Sequence, residues 1–414
     1  MKQRSALLFL TALFFTVALV RADDGPVEQV KSYLAKPRAD RGDLDKQPFA
    51  TAKLTKDQVE QIQGLLWADH VAYIKATRQK EWDNQAIAAD GQTLKLLEKS
   101  FGTKPKDGWN LYISMHGGGG APKALNDSQW KNQIRLYQPE DSLYIAPRAP
   151  TNDWDLWHKK EIDDLFDRLI EDAIVLGEVN PNRVYIMGYS AGGDGVYQLA
   201  PRMADRWAAA SMMAGHPGDA SVESLRNIGF IGQVGALDGG AQGYHRNEKL
   251  TEFEGKMDAI QKTDPAGYAH EFHLREGKPH WMDMEDAKPA LDFMAKFTRN
   301  PLPDKIVWRQ NGVTHDRFYW LAVPPGEAKN KQLVIASRKD QTITIEKAED
   351  VKTLIVRLND KMLDLDKPVT ITMDGKTLFS GVVPRTAEVL HRTLDERGDP
   401  DAVFSAAVTV KVGG

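Results

Sequence analysis

The 414-residue chain contains no cysteine. Disulfides and sulfur-linked lipids are therefore excluded, and packing alone must hold the fold. Excess positive charge is also missing: Lys and Arg number 54 against 58 Asp and Glu, for a formal net charge of -4. No basic field draws polyanions to the surface, so nucleic acid is not an expected partner. There is no repeat of fixed period and no low-complexity tract. Nor is there a long apolar run beyond the first residues, where Ala6 to Val20 follows Lys2 and Arg4. That run is about 15 residues, short of the ~20 needed to span a bilayer as a helix. With Val20-Arg21-Ala22 after it, it reads as a signal peptide over residues 1–22, cleaved after Ala22. The expectation is a periplasmic or secreted protein with no stable membrane span after cleavage.

What is present is ordinary globular material, 42% hydrophobic and 27% charged, in a chain long enough for more than one folded unit. Residues 23–100 are polar and helix-like, with Val59, Ile62, Leu65, Leu66 and Val71 at helical spacing after Leu54-Thr55. From Trp109 the pattern turns to short apolar runs broken by Gly and Pro: LYISM at 111–115, SLYIAP at 142–147, RVYIMG at 183–188 and FIGQVGAL at 230–237. Helix-length stretches, notably Glu161 to Leu176 and Gly193 to Met203, lie between them. This alternation predicts an α/β unit over 101–299, a mostly parallel sheet covered by helices. Asn300-Pro301-Leu302-Pro303-Asp304 reads as a linker. Residues 300–414 carry alternating segments such as QTITIE and VTITMDG, which favour a small β-sandwich with one helix near Thr386 to Asp395. That unit is expected to fold on its own and to take no part in the chemistry.

The sharpest local signal is Gly188-Tyr189-Ser190-Ala191-Gly192, between a strand and a helix-like stretch. That is the setting of a nucleophile elbow, where glycines beside the serine permit a turn too tight for side chains. His116-Gly117-Gly118-Gly119-Gly120 ends an earlier strand. Its backbone N–H groups suit an oxyanion, with Ala191 giving one donor and Gly117 or Gly118 the other. No Lys-Ser/Thr follows, so a phosphate loop is excluded, and His116 itself reads as structural. A serine needs an imidazole to take its proton and a carboxylate to orient that imidazole. The elbow motif goes with the order Ser, acid, His. Asp238 ends a strand and is followed by Gly239-Gly240, which makes it the leading acid ahead of Asp219 and Asp264. Of the histidines at 216, 245, 270, 273 and 280, only His280, in Gly277-Lys278-Pro279-His280-Trp281, sits in a turn between a strand and the last helix of the unit. Asn126, Gln129, Trp130, Trp154, Trp157 and His158 crowd the neighbouring loops and are candidate substrate contacts, with core packing the alternative for the tryptophans. Arg148 and Asp194 read as loop ion pairs or substrate-orienting groups.

HGGGG, DWDLWH, GYSAGG, VGALD and GKPHWM together resemble the α/β-hydrolase superfamily, nearest to polyhydroxybutyrate-depolymerase-like and feruloyl- or acetylxylan-esterase-like serine esterases. The resemblance covers about residues 100 to 298. It implies hydrolysis of a small or polymeric carboxylic ester through an acyl-enzyme, with no cofactor and no metal, carried by Ser190, Asp238 and His280. A serine peptidase of the prolyl-oligopeptidase type would share the triad. A carbohydrate-binding module on an inactive hydrolase is the reading from another class.

Overall fold

A computed structural model describes residues 25–240 and 244–413; the signal segment expected at 1–22 lies outside them. Helix α1 (Pro26–Leu34) leads to the long α2 (Lys56–Asp83), which opens on a capping box: the Thr55 hydroxyl accepts from the Gln58 N–H while the Gln58 side chain accepts from the Thr55 N–H. The main sheet then forms from β1 (Ala86–Ala89), β2 (Gln92–Phe101), β3 (Trp109–Met115), β4 (Ser142–Arg148), β5 (Val179–Tyr189), β6 (Ala209–Met213), β7 (Gly229–Gly235) and β8 (His270–Arg275). Helices α3 (Lys123–Gln133), α4 (Lys160–Val175), α5 (Ala191–Arg202), α6 (Arg246–Thr263) and α7 (Ala287–Met294) intervene. The strand order is β1-β2-β4-β3-β5-β6-β7-β8. β2 runs antiparallel to both β1 and β4, and the rest is parallel. The sheet thus starts at Ala86, ahead of the boundary expected at 101.

Period-two alternation separates two cores. Leu111, Ile113, Ile145, Val184 and Ile186 face α4, α5 and α6, while Tyr112, Tyr144, Tyr185 and Met187 face α3 and α7. Helices therefore cover both faces, as the unbroken apolar strands require. Among the described residues no helix is long and apolar enough to cross a membrane.

After α7 come a five-stranded sheet, β9 (Lys305–Arg309), β12 (Leu333–Lys339), β13 (Thr342–Glu349), β15 (Val369–Met373) and β16 (Lys376–Gly381), and a four-stranded one, β10 (Arg317–Phe318), β11 (Leu321–Ala322), β14 (Thr353–Leu358) and β17 (Ala406–Lys411). Helix α8 (Ala387–Asp395), capped by Thr386, lies between β16 and β17. The core of these sheets is continuous with that of α4 and α5, and α8 packs against the N-terminal helices through Leu390 and Leu394. The proline stretch at 300–304 is held in place: Leu302 is buried, Trp320 donates to the Pro303 carbonyl (2.8 Å) and Arg338 to that of Leu302 (2.8 Å).

Candidate active site

Ser190 stands between β5 and α5 with φ 58° and ψ -123°, a sparsely populated conformation that only a rigid surround maintains. Its N–H donates to the Met213 carbonyl (2.9 Å) and its carbonyl accepts from Asp194 (3.0 Å). A side chain at Gly188 would strike the Gly192 backbone, and one at Gly192 the Met115 carbonyl. The two glycines of the motif are thus what lets the hydroxyl stand clear of the sheet edge.

Two further loops converge on it. The one after β7 carries Asp238, and the one after β8 carries His280. They are tied together by Ala236 N–H to the Arg275 carbonyl and Leu237 N–H to the Lys278 carbonyl, both 2.9 Å. His280 Nε2 lies 2.9 Å from Ser190 Oγ, and its Nδ1 lies 2.7 Å from Asp238 Oδ2. A proton on Nδ1 faces the carboxylate, which leaves Nε2 to accept from the hydroxyl. The Asp238 side chain is 8% exposed and that of His280 43%, so the site is open to solvent on the histidine side. Tyr189 braces this loop: its hydroxyl donates to the His280 carbonyl (2.7 Å) and accepts from the Met282 N–H (3.0 Å), while its ring packs on Trp281. The elbow motif names Tyr189 without revealing this role, because its partners lie about ninety residues away in the sequence.

The competing groups are occupied elsewhere. Asp264 is gripped by the Arg226 guanidinium at 2.7 and 2.9 Å, and Asp219 receives the Gln198 amide. His270 bonds the Tyr268 carbonyl and Asp258, His273 pairs with Glu271, the His245 ring lies 3.4 Å from Glu248, and His216 accepts from the Gly218 N–H.

The glycine loop lies against Ser190. A Cβ on Gly117 would stand 3.1 Å from that of Ser190. Gly118, Gly119 and Gly120 have φ of 109°, 79° and 58°, the left-handed region that favours glycine. His116 is fully buried, and burial pushes its imidazole down to about 4, so it is neutral at pH 7. Its Nε2 accepts from the Ala149 N–H (3.2 Å), so Nδ1 donates to the Gly117 carbonyl (2.6 Å). Across that planar peptide the Gly118 N–H points the opposite way. The Gly119 N–H is already taken by Asn126 Oδ1 (2.9 Å). Ala191 opens α5, so its N–H has no partner within the helix.

Two expected substrate contacts are corrected. Asn126 is fully buried and spends its amide on Gly119 and Ala121. Trp157 is likewise buried, donating to the His116 carbonyl and packing on Phe166. Both shape the glycine loop from behind. Trp130 is partly buried and donates to the Ala146 carbonyl. Gln129 Oε1 lies 3.7 Å from the Cβ position of Gly117. Trp154, 72% exposed, borders an open recess with Gly120, Ala121 and Pro122, and His158 packs edge-on against it. Arg148 is a loop staple, bonded to Asp127 and to the Ala149 and Thr151 carbonyls. Asp194 accepts from the His216 N–H (2.6 Å), and burial raises its carboxyl to about 6.

No protein-family model and no curated protein matches the chain. Solved structures resemble it at low identity. A thermostable esterase is 17% identical with a TM-score of 0.40, the match covering 52% of this chain and 62% of that one. The poly(aspartic acid) hydrolase-1 of Sphingomonas sp. KT-1 is 13% identical with a TM-score of 0.40, covering 51% and 97%. A poly(3-hydroxybutyrate) depolymerase from Bordetella parapertussis is 13% identical with a TM-score of 0.34, covering 46% and 79%. The strand order, the two-faced helical cover and the elbow after β5 are those of the α/β-hydrolase fold.

Proposed function

We propose that the chain is a serine hydrolase that cleaves carboxylic esters through an acyl-enzyme. The observation that carries this reading is the unbroken hydrogen-bonded line from Ser190 Oγ through His280 to Asp238, set on a strained elbow. Ser190 attacks the ester carbonyl as His280 Nε2 takes its proton, and Asp238 steadies the resulting imidazolium. The charge that develops on the carbonyl oxygen falls to N–H donors of Ala191 and of Gly117 or Gly118, each worth about 3 kcal/mol of barrier. His280 returns the proton to the departing alcohol, and water then repeats the sequence to free the acid.

Substrate size is argued from the rim. Trp154, Leu237, Tyr244 and Trp281 are exposed apolar side chains on the loops that carry the site, and the histidine side is open. Such a surface suits a bulky phenolic, polyester or polysaccharide-borne acyl ester more than a small buried ligand. Export is read from residues 1–22 of the sequence alone.

A panel of acetyl, feruloyl and hydroxybutyryl esters, set beside aminoacyl-prolyl amides, tests the assignment. Ester turnover that disappears in Ser190→Ala is the expected result. Amide turnover without ester turnover would move the chain to the peptidases. No turnover and no reaction with a fluorophosphonate would leave only a binding role.

A further inference from the structure

Asp238 faces two partners. Its Oδ2 receives His280, while the nearest cation to Oδ1 is the Arg246 guanidinium, 3.6 Å away. No described hydrogen-bond donor reaches that second oxygen, and 3.6 Å is an ion-pair separation, longer than a hydrogen bond. The Arg246 side chain is 11% exposed, its Nε is buried without a partner, and its guanidinium lies 4.3 Å over the Tyr244 ring. A mostly buried arginine that makes no hydrogen bond among the described residues is costly. Here its charge is opposed by that of Asp238.

Its backbone surroundings lock this arrangement. His245 N–H donates to the Gly239 carbonyl (2.7 Å), Asn247 N–H to that of Asp238 (3.3 Å), and Asn247 Nδ2 to that of Ala236 (2.9 Å). The first turn of α6, the positive end of its dipole, is thereby fastened to the backbone of the loop that bears the acid. The other charged or titratable groups near Arg246 are Asp194 on α5 and His216 after β6. With Asp194 and Asp238 both close to it, Arg246 is poorly placed to attract an anionic substrate.

We propose that Arg246 is a positioning residue that holds the Asp238 carboxylate from behind and so fixes the orientation of His280. This rests on the triad reading given above. The arrangement extends the line to Ser190, His280, Asp238 and Arg246. Arg246 and His280 sit on opposite oxygens of one carboxylate, so taking the cation away alters the field at the base. The groups that face His280 are Asp238, Ser190, Tyr189 and, more distantly, Asp194.

The test compares pH profiles of kcat/KM for the full chain as wild type, Arg246→Met and Arg246→Lys on a neutral ester. In Arg246→Met, kcat should fall while KM stays within about twofold, the signature of an interaction that matters in the transition state. The acid limb should move up by about half a pH unit, the size expected of a unit charge one carboxylate away in a water-like dielectric. Arg246→Lys should return the limb to its wild-type position. An unmoved limb in Arg246→Met overturns the inference, whether kcat is unchanged or falls at every pH. Ser190→Ala, run alongside, keeps the two readings apart: if it remains active the triad itself fails, whereas if it is dead and the limb is unmoved only the role of Arg246 fails.

Discussion

Two clusters of charge sit at opposite ends of α5. At the N-terminus of α5, Ser190, His280 and Asp238 form a short line whose middle member is a half-exposed imidazole. At its C-terminus and along α4, charges of the α/β unit are closed over by the C-terminal sheets. Asp163 holds Arg202 and His315 (2.8 Å to the latter), Asp167 holds Arg206 and Arg317 at 2.6 and 3.2 Å, Asp205 pairs with Arg397, and Arg299 with Asp399 at 2.7 Å. Catalysis needs a group that changes protonation near neutral pH and meets solvent. An interface needs charges that keep their state, and arginine with a buried carboxylate does so. Burial pushes the Asp399 carboxyl up, but Arg299 and Arg206 more than offset it and hold it below the usual range. The same balance, with Arg397 and Arg317, lowers Asp205.

The comparison predicts that the two clusters fail differently. At the open one, Asp238→Asn should lower kcat on the order of 10³-fold or more, because the amide misorients the imidazole, a loss measured per folded molecule. Asp219→Asn and Asp264→Asn should stay near wild-type turnover, and loss of activity in either with Asp238→Asn unaffected would reassign the acid.

At the closed cluster, Arg299→Met leaves the buried Asp399 without its direct ion-pair partner and with only the more distant Arg206, which should cost about 3 kcal/mol of stability in urea unfolding. Activity per folded molecule should be unchanged. A chain ending at Arg299 loses His315, Arg317, Arg397 and Asp399 from this cluster together, which leaves Asp205 and Arg299 without their ion-pair partners, and should not fold, contrary to the independence that the proline stretch leads one to expect. The pH sign follows from the lowered carboxyls. Their stabilisation is present above the unfolded value, roughly pH 4, and is lost as pH falls through the lower folded values. Wild type should therefore lose stability in acid more steeply than Arg299→Met, and equal slopes would remove the interface charges from the account.

The smallest effect belongs to the rim. Trp154→Ala should leave kcat on a small acetyl ester untouched and raise KM for a bulky ester by roughly tenfold at most, the worth of about 1.4 kcal/mol of lost contact. An equal change on both esters would deny Trp154 a part in substrate size.

Local pattern made much of this legible. The elbow, the glycine loop and the turn at His280 are contiguous motifs whose chemistry is written in adjacent residues, and the parallel strands announced themselves as unbroken apolar runs. Strand β6 did not, because Ala-Ala-Ser-Met-Met carries little β preference and takes its place from its neighbours. β2 was hidden because its outward positions are polar, and β1 because Ala-Ile-Ala-Ala carries little β preference. Arg246 gave no signal at all, since its partner is brought near only by the turn into α6. For Trp157 and Asn126 the sequence places them beside the site but does not say which way they face.

The proposed chemistry stands on Ser190 as the nucleophile. Incubation of the protein with a fluorophosphonate, followed by digestion and mass spectrometry, tests it most directly. One phosphonylated peptide is expected, modified at Ser190, whose formation parallels loss of esterase activity and is absent in Ser190→Ala. Modification at another residue with the same loss of activity, or full activity in Ser190→Ala, would contradict it.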